Sequence, residues 1–99
     1  MTEHASLVRV TTFVPAEGRR DSLIEQLQQM ASAFRGHDGL FGTQVCTVDE
    51  QPGAVAVVSR FRDRAALDSL IASNAGSGIE GLAALLARPP ASSHFRSLG

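Results

Sequence analysis

Two stretches set the hydrophobic pattern of the chain. Leu7–Val14 reads LVRVTTFV and Ala54–Arg62 reads AVAVVSRFR. Both are rich in β-branched residues, so both are predicted strands. At a period of two, the second stretch puts Val55, Val57, Ser59 and Phe61 on one face and Ala56, Val58, Arg60 and Arg62 on the other. The first divides into Leu7, Arg9, Thr11, Phe13 and Val8, Val10, Thr12, Val14, and Pro15 closes it. Neither face of either strand is plainly polar, so each strand needs cover on both sides.

Between them the period changes. After the turn Pro15-Ala16-Glu17-Gly18, Leu23, Leu27, Met30 and Phe34 recur at helical spacing, with Ile24 and Ala31 widening the stripe. This helix is expected to start between Glu17 and Ser22, where Ser22 and Glu25 have capping-box spacing and Glu17 is an equally good first-turn acid, and to end at Gly36-His37-Asp38-Gly39. Leu40–Val48 is a further strand, with Phe41, Thr43, Val45 and Thr47 expected on one face. A hairpin turn, Asp49–Gly53, joins it to Ala54–Arg62. Asp63 is a candidate N-cap for a second helix, Arg64–Ser73. The small-residue break Asn74–Gly78 precedes a third helix, Ile79–Ala87, which Arg88-Pro89-Pro90 stops. Ala91–Leu98 supplies a last strand, with Phe95 opposite in phase to His94 and Arg96.

The order β-α-β-β-α-β predicts an α+β, ferredoxin-like antiparallel sheet with its helices on one face. No helix remains for the other face. An uncovered apolar sheet face of this size predicts a second copy of the chain packed against it, sheet to sheet.

Composition narrows the function classes. Ninety-nine residues are expected to make one domain, residues 1–99. Nine basic and ten acidic residues leave a net charge of −1, which offers no electrostatic surface for nucleic acid or an anionic membrane. No apolar run approaches the roughly 18–20 residues that span a bilayer. The start, MTEHAS, has neither the basic residues nor the apolar core of a signal peptide, so a cytoplasmic protein is expected. A single Cys46 forms no intramolecular disulfide and reads as a small buried hydrophobe.

With these elements in order, the chain resembles the antibiotic biosynthesis monooxygenase domain, a dimeric α+β barrel. The likeness runs from Leu7 to Leu98. It rests on the turn Val14-Pro15-Ala16-Glu17-Gly18, the pair Asp38-Gly39 ahead of the second strand, and the junction Ser59-Arg60-Phe61-Arg62-Asp63 followed by Ala65-Ala66-Leu67. Where the family commonly has Trp-Glu-Ser, this chain has Phe61-Arg62-Asp63. The resemblance implies a homodimer with a small hydrophobic or aromatic ligand held between sheet and helices. It also implies oxidation of a quinol-like, anthrone-like or polyketide-like molecule with no metal or flavin cofactor.

The resemblance also supplies positions to inspect. In the cofactor-free polyketide monooxygenases, an Asn and a Trp on the third strand and a Tyr on the next helix are functional. The matching positions here are Val57, Phe61 and Leu67, so those polar groups are gone. In the haem-degrading branch a first-strand Asn falls at Val10, and the axial His has no counterpart, since no His lies between residues 38 and 93. The implied pocket therefore comprises Val10, Thr12, Val57, Ser59, Phe61 and Leu67, with Asn74 on the small-residue break and His94 on the last strand. Thr12 and Ser59 are hydroxyls on otherwise apolar faces, where each needs a partner. Arg9, Arg60, Arg62 and Arg96 are strand arginines with two readings: an anion site for a phenolate, or surface pairing with Asp and Glu. A haem-degrading oxygenase ranks last, and two readings lead, a monooxygenase and a catalytically silent binding or assembly protein. A base or hydrogen-bond donor inside the pocket separates them.

Overall fold

The computed structural model describes residues 6–73 and 79–98. In chain order the elements are β1 (Leu7–Phe13), α1 (Arg20–Phe34), β2 (Leu40–Thr47), β3 (Val55–Phe61), α2 (Arg64–Ser73), α3 (Ile79–Ala83) and β4 (Ala91–Arg96). The strands form one antiparallel sheet in the order β2-β3-β1-β4. This is the ferredoxin-like α+β arrangement that the alternation of strand and helix patterns predicts.

Register places the side chains. Leu7 lies opposite Phe61, Arg9 opposite Ser59, Thr11 opposite Val57 and Phe13 opposite Val55. These residues share the face that meets the helices, and two apolar clusters form there. One joins Phe13, Val55 and Val57 of the sheet to Leu23 and Leu27 of α1 and Leu82 of α3. The other joins Leu7 and Phe61 to Ala66, Leu67 and Leu70 of α2, with Phe34 and Leu40 at its margin. Full burial of a large apolar side chain is worth about 1.5–3 kcal/mol. The clusters therefore fix the helices to this face far more firmly than helix propensity does.

The opposite face carries Val8, Val10, Thr12, Ala56, Val58, Cys46 and Phe95. Among the described residues no helix packs on it, and none of these side chains belongs to either cluster. Phe95 is 55% exposed.

Local chemistry sets the element ends. Asp63 caps α2, its Oδ1 accepting the Ala66 N–H at 2.9 Å. The expected Ser22–Glu25 capping box does not form. Helix α1 begins at Arg20 with no side-chain cap, which leaves Ser22 already inside the first turn. The third helix also ends sooner than its pattern predicts, at Ala83 rather than Ala87. Its last residues pair with the end of β1 instead. Ala16 N–H donates to the Leu85 carbonyl at 2.8 Å, and Ala87 N–H donates to the Val14 carbonyl at 2.9 Å. A register shift between Leu40 and Gly42 corrects the expected phase at the start of β2. That bulge turns Leu40 into the core and leaves Phe41 40% exposed.

Candidate functional site

The two apolar clusters are separated by a polar row that crosses the whole sheet. Thr43 of β2 faces Ser59 of β3, Ser59 faces Arg9 of β1, and Arg9 faces His94 of β4. Partners in register lie on the same face, so the side chains of this row share the helix side. On one side the row is bordered by Leu40, Phe61 and Leu7, and on the other by Val45 and Val57. Polar groups thus interrupt an otherwise apolar layer.

One hydroxyl contact lies within the row, and two more lie beside it. Ser59 is 8% exposed, the one buried polar residue among the described ones, and its Oγ lies 3.4 Å from Thr43 Oγ1. One step along, Thr11 Oγ1 and Ser92 Oγ are 2.9 Å apart. Arg9 Nη2 donates to Ser92 Oγ at 3.3 Å. Arg9 Nε, in contrast, is closed off from water and has no acceptor among the described residues. Desolvation by burial, and secondarily the like charge of Arg64 at the start of α2, push Arg9 below the ordinary arginine range. Hydroxyls, an imidazole and an unpaired guanidinium side by side can hold an anionic oxygen and donate hydrogen bonds to it.

The sequence profile of the family described as antibiotic biosynthesis monooxygenase matches residues 6–74. The chain belongs to this family. Solved structures share its fold. The Rv0793 protein of Mycobacterium tuberculosis is 24% identical, over 94% of this chain and 95% of its own, with a TM-score of 0.77. The SO0527 protein of Shewanella oneidensis is 21% identical, over 95% and 93%, with a TM-score of 0.79. A structure described as an antibiotic biosynthesis monooxygenase is 14% identical, over 94% and 99%, with a TM-score of 0.80. Identities this low carry the fold alone. No protein of curated function matches the sequence.

Within this family member, the positions named from sequence fall into three groups. Val57, Ser59, Phe61, Leu67 and His94 are on the helix side of the sheet. Val10 and Thr12 are not: they pair with Val58 and Ala56 and lie on the opposite face. The reason is strand phase. β1 meets the helices through Leu7 and Phe13, which puts Arg9 and Thr11 beside Ser59 in place of Val10 and Thr12. Asn74 lies outside the described residues. Phe61 and Leu67, at 1% and 0% exposure, are packed into the second cluster. Sequence reasoning offered Arg9 as one of four candidate anion-binding arginines and passed over Thr11, Thr43 and Ser92 as pocket groups. Alternation along β1 puts Arg9 and Thr11 on the face of Leu7 and Phe13, but it does not say which face meets the helices.

The four strand arginines also divide. Arg62 forks onto Asp38, with Nη1 to Oδ1 at 3.4 Å and Nη2 to Oδ2 at 3.3 Å, and its Nε lies 3.5 Å from Asp63 Oδ2. The Asp38 hydrogen bond first, then the charges of Asp38 and Asp63, raise Arg62 above its ordinary range. Arg60 donates to Gln44 Oε1 at 3.4 Å on the exposed opposite face, and Arg96 is exposed at the end of β4. Only Arg9 of the four enters the helix side as a partly buried cation.

Proposed function

We propose that this protein is a monooxygenase that uses no metal or flavin, acts on an aromatic quinol-like, anthrone-like or polyketide-like molecule, and works as a homodimer. The observation that carries the reading is the polar row Thr43–Ser59–Arg9–His94, set between apolar clusters on the helix side of the sheet. The family's polar positions are Val57, Phe61 and Leu67 here, so the chemistry falls to this row. An electron-rich phenol loses a proton and binds as its anion. The anion passes an electron to O₂, the two radicals join at a carbon that carries hydrogen, the released proton returns to give a hydroperoxide, and loss of water, which takes that C–H hydrogen, leaves a carbonyl. One oxygen atom enters the product and the other leaves in water. Arg9 favours the anion, Ser59 and Thr43 orient it, and the apolar border excludes water. Dimerisation through the uncovered sheet face completes the barrel and buries Val8, Val10, Val58 and Phe95.

Oxygen uptake by the purified protein with a panel of anthrones and hydroquinones tests the reading. Uptake above the spontaneous rate is expected, with a loss of about tenfold or more in Ser59→Ala if one oriented hydrogen bond to the anion is removed. Uptake that matches the spontaneous rate across the panel would overturn it.

One observation favours a second reading, a catalytically silent small-molecule-binding or assembly protein. Val57, Phe61 and Leu67 are sealed into the core at 6%, 1% and 0% exposure, as structural residues are. Ligand binding without oxygen uptake would select it.

A further inference from the structure

We propose that Arg9 forms an anion-binding subsite, which holds an aromatic ligand through a phenolate or carboxylate oxygen. The inference rests on the reading that the polar row is the ligand site, and it names what that site recognises.

Charge is the first argument. The described ion pairs are Arg62 with Asp38 and Asp63, and Arg64 with Asp68. None reaches Arg9. Strands β1 and β4, LVRVTTF and ASSHFR, contain no acidic residue. The cross-strand neighbours of Arg9 are Ser59 and His94, and the charge of Arg64, at the start of α2, acts on it as a second cation. A partly buried guanidinium with no counter-charge among the described residues is costly, and their packing alone gives no reason to place one here.

Geometry is the second. The Nε–H and one Nη2–H of a guanidinium point the same way and form a two-pronged edge, which matches two acceptor oxygens. In Arg9, Nη2 donates to Ser92 Oγ at 3.3 Å, while Nε–H is out of contact with water and has no acceptor among the described residues. A buried donor without an acceptor costs about 1–3 kcal/mol until one arrives. An incoming anionic oxygen supplies that acceptor and the missing charge together.

The surroundings set the rest of the ligand. In register, Leu7 and Phe61 flank Arg9 on one side and Val57 on the other, and this apolar surround strengthens the pull of the guanidinium on an anion. Ser59 and Thr43 continue the row away from Arg9 and offer hydroxyls to a second oxygen of the same molecule.

The test uses the full chain and three ultraviolet- or visible-absorbing probes that O₂ does not oxidise: 4-nitrophenol, 4-nitrobenzoate and the neutral 4-nitroanisole. Nitrophenol is expected to titrate at a pH lower by about one unit or more when bound, since the subsite favours its anion by tenfold or more. Nitrobenzoate is expected to bind at least about tenfold tighter than nitroanisole. Arg9→Gln should abolish both effects, and Arg60→Gln, on the opposite face, should leave both intact. The Nε–H resonance of Arg9 in the unaltered protein gives a second readout that does not depend on a variant folding, and it should move with either anion and stay with nitroanisole. Equal binding of all three probes, unchanged anion binding in Arg9→Gln, or a stationary Nε–H resonance would overturn the proposal. Binding of nitrophenol alone or nitrobenzoate alone fixes which oxygen is read. Oxygen uptake is scored separately. Anion binding without turnover removes the monooxygenase reading alone, and turnover of neutral quinols without anion binding removes the subsite alone.

Discussion

A methyl group on Gly39 would come within 2.5 Å of the Cβ of Ala66. Gly39 also has φ of +82°, where side chains are strained. The turn after α1 therefore needs glycine twice over, once for its backbone and once so that α2 can close onto it. Arg62 N–H donates to the Gly39 carbonyl at 2.7 Å, so the same contact holds the end of β3. Gly39→Ala is expected to cost about 2–4 kcal/mol in urea unfolding. Gly18 has φ of +76° with nothing near its missing Cβ, and Gly18→Ala is expected to cost only the backbone part, about 1–2 kcal/mol. Equal losses would mean that α2 gives way freely.

Asp63 has two roles that substitution can separate. Its Oδ1 caps α2, and its Oδ2 lies 3.5 Å from Arg62 Nε at the surface. Exposed pairs contribute little, whereas a lost N-cap costs about 1 kcal/mol. Asp63→Ala is expected to lose about that much in a denaturant titration. Asp63→Asn keeps the capping oxygen without the charge and should stay close to the unaltered protein. A large loss in Asp63→Asn would transfer the weight to the ion pair.

The fold was legible because its strands and helices differ in period, and because Pro15, Gly36, Gly39 and Pro89 punctuate them. The capping role of Asp63 was legible for the same local reason. Phase was harder to read. Val8, Val10 and Val58 are as apolar as Leu7, Phe13 and Val57, so hydrophobicity could not say which face met the helices. The pairings of Arg9 with Ser59 and of Thr43 with Ser59 join residues far apart in the chain, and alternation within one strand does not contain them. The end of α3 was likewise hidden. Its apolar spacing continues to Leu86, but the backbone there is committed to Val14 and Ala16.

The uncovered sheet face makes a direct prediction about assembly. Val10 and Val58 pair at its centre, and no described element lies over them. Val10→Asp would place a carboxylate in a sheet-to-sheet interface, where it would be buried without a partner. Sedimentation is expected to show a dimer for the unaltered protein and a monomer for Val10→Asp. Gln29→Asp, on the exposed side of α1, should remain dimeric. A Val10→Asp protein that still sediments as a dimer would exclude this face as the interface.

Arg9 should trade stability for binding. Its burial disfavours the charged form, so its folded-state pKa lies below the unfolded one. For a base, that cost is fully present at every pH below the folded value and fades only as pH rises through it, in the strongly alkaline range. Over the neutral range the penalty is therefore constant, and no stability change with pH is expected from this residue. Arg9→Met keeps a long flexible side chain while it removes the charge and the unsatisfied Nε–H. It is expected to leave stability unchanged, or to raise it by up to about 1–3 kcal/mol, in urea titrations at neutral pH. The same variant should lose the preference for anionic probes. A loss of stability larger than about 1 kcal/mol would mean that the guanidinium stabilises the fold as it stands, through Ser92 and its packed stem. A gain in stability together with lost anion binding is the pattern of a side chain kept for its ligand rather than for the fold.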